Sequence, residues 1–198
     1  MSETRRGNEE RAIQFAGGEV RFSDDGGRTL EGYAAVFDQP YDMGRFEEII
    51  SPGAFARSLE SRADVRALID HDPAKVIGRS KAGTLDLEED DHGLRVRIRL
   101  ADTTEAGDLA KKIERRDIDA MSIGFTAKRQ RWAKDGERRI RFLDDVDLFD
   151  VSAVAFPASP TTEIALRSLA QQLEAESDQG EDMARRYRLM LAAMRRFE

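Results

Sequence analysis

At 198 residues with 40% hydrophobic content, the chain is long enough for one domain plus a short appendage and apolar enough to build a core. Its net charge of −7 is spread over interleaved acids and bases with no long basic run, which argues against a nucleic-acid partner. The absence of cysteine excludes disulfides, a cysteine nucleophile and a cysteine zinc site. The opening "MSETRRGNEERAIQF" lacks the apolar centre of a signal peptide, and no stretch approaches the ~20 apolar residues that span a bilayer, so a soluble intracellular protein is expected, with no membrane partner.

Residues 1–11 are polar and read as a flexible N-terminus. "AIQF" and "EVRF", split by Gly17-Gly18, read as a hairpin, and "TLEGYAAVF" (29–37) as a buried strand. "RFEEII" (45–50) is a further strand. In "SPGAFARSLES" (51–61), Ser51 as N-cap and Pro52 at the first helical position predict a short helix. "DVRALID" (64–70) is strand-like and delivers His71 to the edge of a sheet. Residues 83–100 read as a hairpin turning at Asp91-His92-Gly93, with Leu94, Val96, Ile98 and Leu100 on one buried face.

From 103 to 116 the period lengthens. Ala106, Leu109, Ala110 and Ile113 fall on one helical face, and Asp102 with Glu105 resembles a capping box. Strands return at "AMSIGFTAKRQRW" (120–132), "RRIRFL" and "VDLFDVSAVAFPA" (146–158), with a turn at Asp135-Gly136. After Ser159-Pro160, Leu166, Leu169 and Leu173 share a helical face, and Met183, Tyr187, Met190, Met194 and Phe197 form a heptad-like stripe. The fold expected is α+β: a mainly β, barrel-like core with few helices, plus a C-terminal helical tail. The divisions are 1–11 as the flexible start, 12–160 as the domain and 161–198 as the tail.

The chain has two histidines. His92 lies in a polar turn and reads as a solvated turn residue. His71 sits between two aspartates at the end of an apolar run, where an imidazole can serve as a general base near neutral pH. A base needs a nucleophile. Most serines here occupy turns, caps or polar faces, whereas Ser122, in "AMSIGF", and Ser152, in "VDLFDVSAVAF", lie within apolar strands. Gly124 beside Ser122 suits close approach of a substrate. The strand context and the missing first glycine distinguish this segment from the nucleophile elbow of α/β-hydrolases. Acids within an apolar strand need partners, which brings forward Asp147 and Asp150. On strict alternation Asp150 shares a face with Leu148 and Ser152. A hydrolytic metal site built on His71, Asp70 and Asp72 is a poor alternative, since no second histidine or cysteine stands near.

The ordered set "GYAAVFDQP", "ISPGAFARSL", "ALIDHDPAKVIGRS", "DDHGLRVRIRL", "IDAMSIGF" and "VDLFDVSAVAFPASP" resembles the prohead (procapsid) maturation serine proteases of tailed phages, relatives in fold of the herpesvirus assemblins. The resemblance runs over about residues 29–158. It implies a serine endopeptidase without cofactor or metal, with His71 as base and Ser122 as nucleophile. The third member, often a glutamate in such enzymes, falls on Asp150, with Asp147 in reserve. It further implies cleavage of scaffold protein, or of the scaffold-like N-terminal domain of the major capsid protein, and of the enzyme itself. The setting would be a procapsid in the host bacterial cytoplasm, and the enzyme would form a homo-oligomer, a dimer among the options. The tail would bind scaffold helices or be removed by self-cleavage. The competing implication is a catalytically weak scaffold or assembly chaperone with the same fold.

Overall fold

A computed structural model describes residues 9–14, 19–22, 28–43, 46–135 and 138–155. The expected helical tail, 161–198, lies outside the described residues. Strands dominate: β1 (Glu9–Gln14), β2 (Glu19–Phe22), β3 (Arg28–Val36), β4 (Tyr41–Asp42), β5 (Glu47–Ile50), β6 (Arg66–Ile69), β7 (Asp72–Arg79), β8 (Leu85–Glu89), β9 (Gly93–Leu100), β10 (Ala120–Asp135) and β11 (Arg138–Val154). Among the described residues two α-helices, α1 (Ala56–Glu60) and α2 (Thr104–Glu114), interrupt them. The fold is therefore mostly β-sheet with few helices.

A seven-stranded sheet runs β1-β10-β11-β5-β4, with β6 also on β11 and β7 on β6; a four-stranded sheet runs β2-β3-β9-β8. A single hydrophobic cluster joins residues of both sheets with α2, including Leu30, Leu94, Val96, Ile98, Leu109, Ile113, Ile123, Phe125 and Val151. The alternation read in β9 is seen directly: Leu94, Val96, Ile98 and Leu100 are buried between exposed arginines. The face of α2 read from sequence is likewise the buried one. Its N-cap, however, is Thr103, whose hydroxyl accepts from the Ala106 backbone at 3.2 Å, in place of the expected Asp102–Glu105 box.

Three other expectations are corrected. β1 and β2 do not form a hairpin; β1 pairs antiparallel with β10 and β2 with β3. Residues 9–11, expected to be loose, belong to β1. Helix α1 starts at Ala56, later than read, because Ser51 to Ala54 make a turn first and Gly53 takes a φ of 86°. Ser51 donates its hydroxyl to Asp144 at 2.8 Å, and Glu89 accepts from the Phe55 amide at 3.0 Å, so α1 is anchored by distant carboxylates and not by its own cap.

β11 organises the fold. One edge is zipped to β10. The other is shared out along its length. β5 lies parallel to residues 140–143 and β6 parallel to residues 150–153. Between them, where neither strand reaches, Val146 donates to the Ala54 carbonyl and Leu148 to the Ser58 hydroxyl, both at 3.0 Å. Backbone groups of a central strand that would otherwise be stranded are thus satisfied by the segment around α1.

Candidate active site

The site is built where β10, β11 and the β6–β7 hairpin meet. Asp70 and His71 form the two-residue loop of that hairpin, since Ile69 pairs with Asp72. Both loop residues have positive φ, 50° and 55°, the conformation of a type I′ turn. Glycine and asparagine favour such positions, so a histidine held there is strained by about 1 kcal/mol. The turn is held on both sides of Asp70: its amide donates to the Ala153 carbonyl at 2.9 Å, and its carboxylate accepts from the Ala155 amide at 3.0 Å. The turn carrying His71 is therefore fastened to the end of β11.

The imidazole bridges two groups. Its Nε2 lies 2.6 Å from Ser122 Oγ and its Nδ1 lies 2.7 Å from Asp150 Oδ1. Ser152 Oγ donates to the same Asp150 oxygen at 2.8 Å and stands 3.3 Å from Nδ1. Because a carboxylate only accepts, Nδ1 carries the proton and Nε2 is free to accept from the Ser122 hydroxyl. The arrangement lies inside the protein: Ser122 and Ser152 are 0% exposed and Asp150 is 6% exposed.

Pairing explains why these side chains converge. Ser122 faces Ser152 across β10 and β11, and Gly124 faces Asp150. Paired residues share a face, so all four project to one side. Strict alternation would put Leu148 on that side as well. It does not lie there, because the register shifts between Gly124 and Phe125, leaving Phe149 as an extra residue and pairing Leu148 with Phe125. This β-bulge sends Leu148 to the core face beside Ile123 and Val151, and leaves Asp150 on the face of Ser122.

The space at Gly124 is taken by the Asp150 carboxylate. A Cβ at this position would sit 1.9 Å from Asp150 Oδ2 and 2.5 Å from the Phe149 ring. The glycine clears space for the carboxylate. Gly124→Ala is accordingly expected to displace Asp150, lower the stability by about 1–3 kcal/mol and reduce catalysis more than stability alone explains. Circular-dichroism melts alongside initial rates would check this; a fully active alanine variant would contradict it.

The remaining candidates fall elsewhere. Asp147 binds Arg57 at 2.6 Å and also Lys128; burial pushes its carboxyl up, but these two cations outweigh burial and hold it below its ordinary value. Asp145 is likewise paired with Arg57. Asp72 accepts from the Ala74 amide and pairs with Lys75, so the three groups of the metal alternative turn to separate partners. His92 is exposed in its turn and sits edge-on to Tyr33, with ring centres 4.6 Å apart. Beside the Asp70 turn a cavity of about 680 Å³ opens, floored by Ile69, Leu109 and Ile118 and rimmed by charged residues of both signs, among them Lys75, Asp108 and Lys112. Among the described residues no helix is long and apolar enough to cross a membrane.

The structure of the bacteriophage T4 capsid assembly protease, gp21, is similar at a TM-score of 0.48 and 13% identity, over 74% of this chain and 96% of that one. No curated protein matches in a sequence search. A family model described as the caudovirus prohead serine protease matches residues 18–176. Covering most of the sequence, including Ser122, His71 and Asp150, that match places the chain in the family of tailed-phage prohead serine proteases.

Proposed function

We propose that this protein is a serine endopeptidase of procapsid maturation in which Ser122 is the nucleophile, His71 the general base and Asp150 the group that orients the base. The observation that carries the reading is the unbroken hydrogen-bonded chain from Ser122 through His71 to Asp150, with spacings of 2.6 and 2.7 Å. In the reaction, His71 Nε2 takes the Ser122 proton as Oγ attacks the scissile carbonyl. The imidazolium so formed gives that proton to the departing amine. Water, deprotonated by the same nitrogen, then releases the acyl group. Asp150 accepts from Nδ1 and stabilises the imidazolium. The substrates would be scaffold protein or the scaffold-like N-terminal part of the major capsid protein, inside the assembling shell in the host cell, together with the enzyme's own chain.

The contrast between Asp150 and Asp147 tests the third assignment. Asp150→Asn removes the acceptor for Nδ1–H and is expected to cut kcat by about 10⁴-fold. Asp147→Asn only loosens an exposed ion-pair cluster and is expected to leave kcat within about 2-fold. Equal losses in the two variants, measured on one peptide substrate, would refute the assignment of Asp150.

Full burial of Ser122 favours a second reading, in which the isolated chain is latent and cleaves only once a partner opens the site. An intact-mass time course on purified wild-type and Ser122→Ala protein, alone and co-expressed with scaffold and major capsid protein, decides between them. Shortening of the wild-type chain alone, at a site lost in Ser122→Ala, supports an autonomous self-processing protease. Cleavage that appears only on co-expression supports latency. No Ser122-dependent cleavage in either setting would sink the protease reading and leave an assembly chaperone.

A further inference from the structure

The strand segment Asp150-Val151-Ser152 places two polar side chains, fully or almost fully buried, on the catalytic face, and the scheme above uses only the first. A buried hydroxyl without a partner is costly, so its position records what it binds. Ser152 has two near neighbours of interest: Asp150 Oδ1 at 2.8 Å and His71 Nδ1 at 3.3 Å. It also stands directly across the ladder from Ser122.

We propose that Ser152 is a positioning residue for the reaction, holding the Asp150 carboxylate and, through it, the His71 ring in the orientation that presents Nε2 to Ser122. The inference rests on the assignment of Ser122, His71 and Asp150 as the reacting set. Its physical content is as follows. Asp150 Oδ2 fills the space left by the missing side chain of Gly124, which limits where the carboxylate can go but does not choose its rotation. Oδ1 receives two donors, Nδ1–H and the Ser152 hydroxyl, and two donors on one oxygen fix the plane of the carboxylate. With its only proton given to Oδ1, Ser152 turns a lone pair toward Nδ1. That contact is favourable when Nδ1 bears hydrogen and repulsive when it does not. The serine therefore favours the one tautomer that leaves Nε2 free as an acceptor.

Among the described residues, three carboxylates stand next to His71 in space or in sequence. Asp150 faces Nδ1. Asp70, before it in the chain, is engaged by the Ala155 amide, and Asp72, after it, by the Ala74 amide and Lys75. Ser152 is thus the neutral neighbour that shares the Asp150 charge with the imidazole. Without it, that charge falls on His71 alone and retains the proton to higher pH.

The test uses the full chain, a peptide containing a cleavage site mapped on the wild-type protein, and three replacements. Ser152→Ala is expected to lower kcat by about 10–100-fold with KM changed less than about 2-fold, the loss of one hydrogen bond to a charged group. Its acidic limb in the pH–rate profile is expected at higher pH than that of wild type. Ser152→Thr and Ser152→Val have the same shape, and any crowding affects both. Threonine is expected to restore kcat to within about 3-fold of wild type and valine is not. Equal kcat for threonine and valine, or an alanine variant with wild-type kcat and pH profile, would overturn the proposal. Asp150→Asn and Ser122→Ala run in parallel. If these retain activity, the underlying catalytic assignment fails; if they lose it while Ser152→Ala does not, only the role of Ser152 fails.

Discussion

Replacing Ser122 by alanine is expected to abolish peptide cleavage while leaving the fold and its melting temperature in place. The substitution removes a single oxygen, and His71 keeps its bond to Asp150, so no buried charge is orphaned. The rate is another matter. Members of a hydrogen-bonded catalytic set act as a unit, and loss of the nucleophile or of its base typically lowers kcat on the order of 10⁴–10⁶-fold. The informative partner is His71→Asn. Asparagine tolerates the left-handed conformation that residue 71 adopts, at a φ of 55°, so the turn survives while the base is lost. Each single variant is expected to lose nearly all activity, and the double variant no more than either. A double loss equal to the product of the singles would show that the two residues act independently, and the assignment of His71 as the base of Ser122 would fall. Single-turnover assays on a mapped peptide would provide these rates.

The largest expected effect on stability lies away from the site, at Glu48 and Arg141. These are neighbours on the parallel β5–β11 pair, and their side chains are 0% and 1% exposed. Arg141 Nη1 meets Glu48 at 2.9 Å and its Nε donates to Gln130 at 2.7 Å. Desolvating two charges consumes most of their attraction, so the intact pair adds little. Breaking it is different. Glu48→Ala removes the carboxylate that faces a buried guanidinium, and Arg141→Ala the guanidinium that faces a buried carboxylate; each is expected to cost about 3–5 kcal/mol, a large share of the 5–15 kcal/mol typical of a domain. Joint replacement by Glu48→Leu and Arg141→Met is expected to recover most of that loss. Urea-melt midpoints on all variants give the answer. A double variant as unstable as the sum of the singles would mean that the charges themselves, not their mutual compensation, hold β5 in place.

Much of this was legible in the residues, for identifiable reasons. The buried face of β9 and that of α2 follow from period alone, because each element meets the core on one side. His71, Ser122 and Asp150 could be picked out because polar groups embedded in apolar runs need a reason to be there, and the ordered segments around them resemble one family. The bulge at Phe149 escaped because alternation has no way to register an extra residue; only the pairing partner reveals it. The contact between Gly124 and the Asp150 carboxylate escaped for the same reason, being set by what stands opposite on another strand. The partners of β1 and β2 were misread because a glycine pair between short apolar segments signals a turn but not which strands flank it. The start of α1 was misplaced because the carboxylates that anchor the segment come from Glu89 and Asp144, far along the chain.

The fastening of the Asp70 turn to Ala155 has a consequence for timing. Ser122, Asp150 and Ser152 lie 51, 79 and 81 residues from His71 in sequence, and the turn bearing His71 is fastened to the end of β11 through Ala153 and Ala155. Such distant contacts form late in folding. A ribosome-bound nascent chain that has not yet delivered β11 holds Ser122 and His71 but not the strand that brings them together. The site's geometry is therefore expected to arise only after residues 138–155 have been made, late in the synthesis of the 198-residue chain.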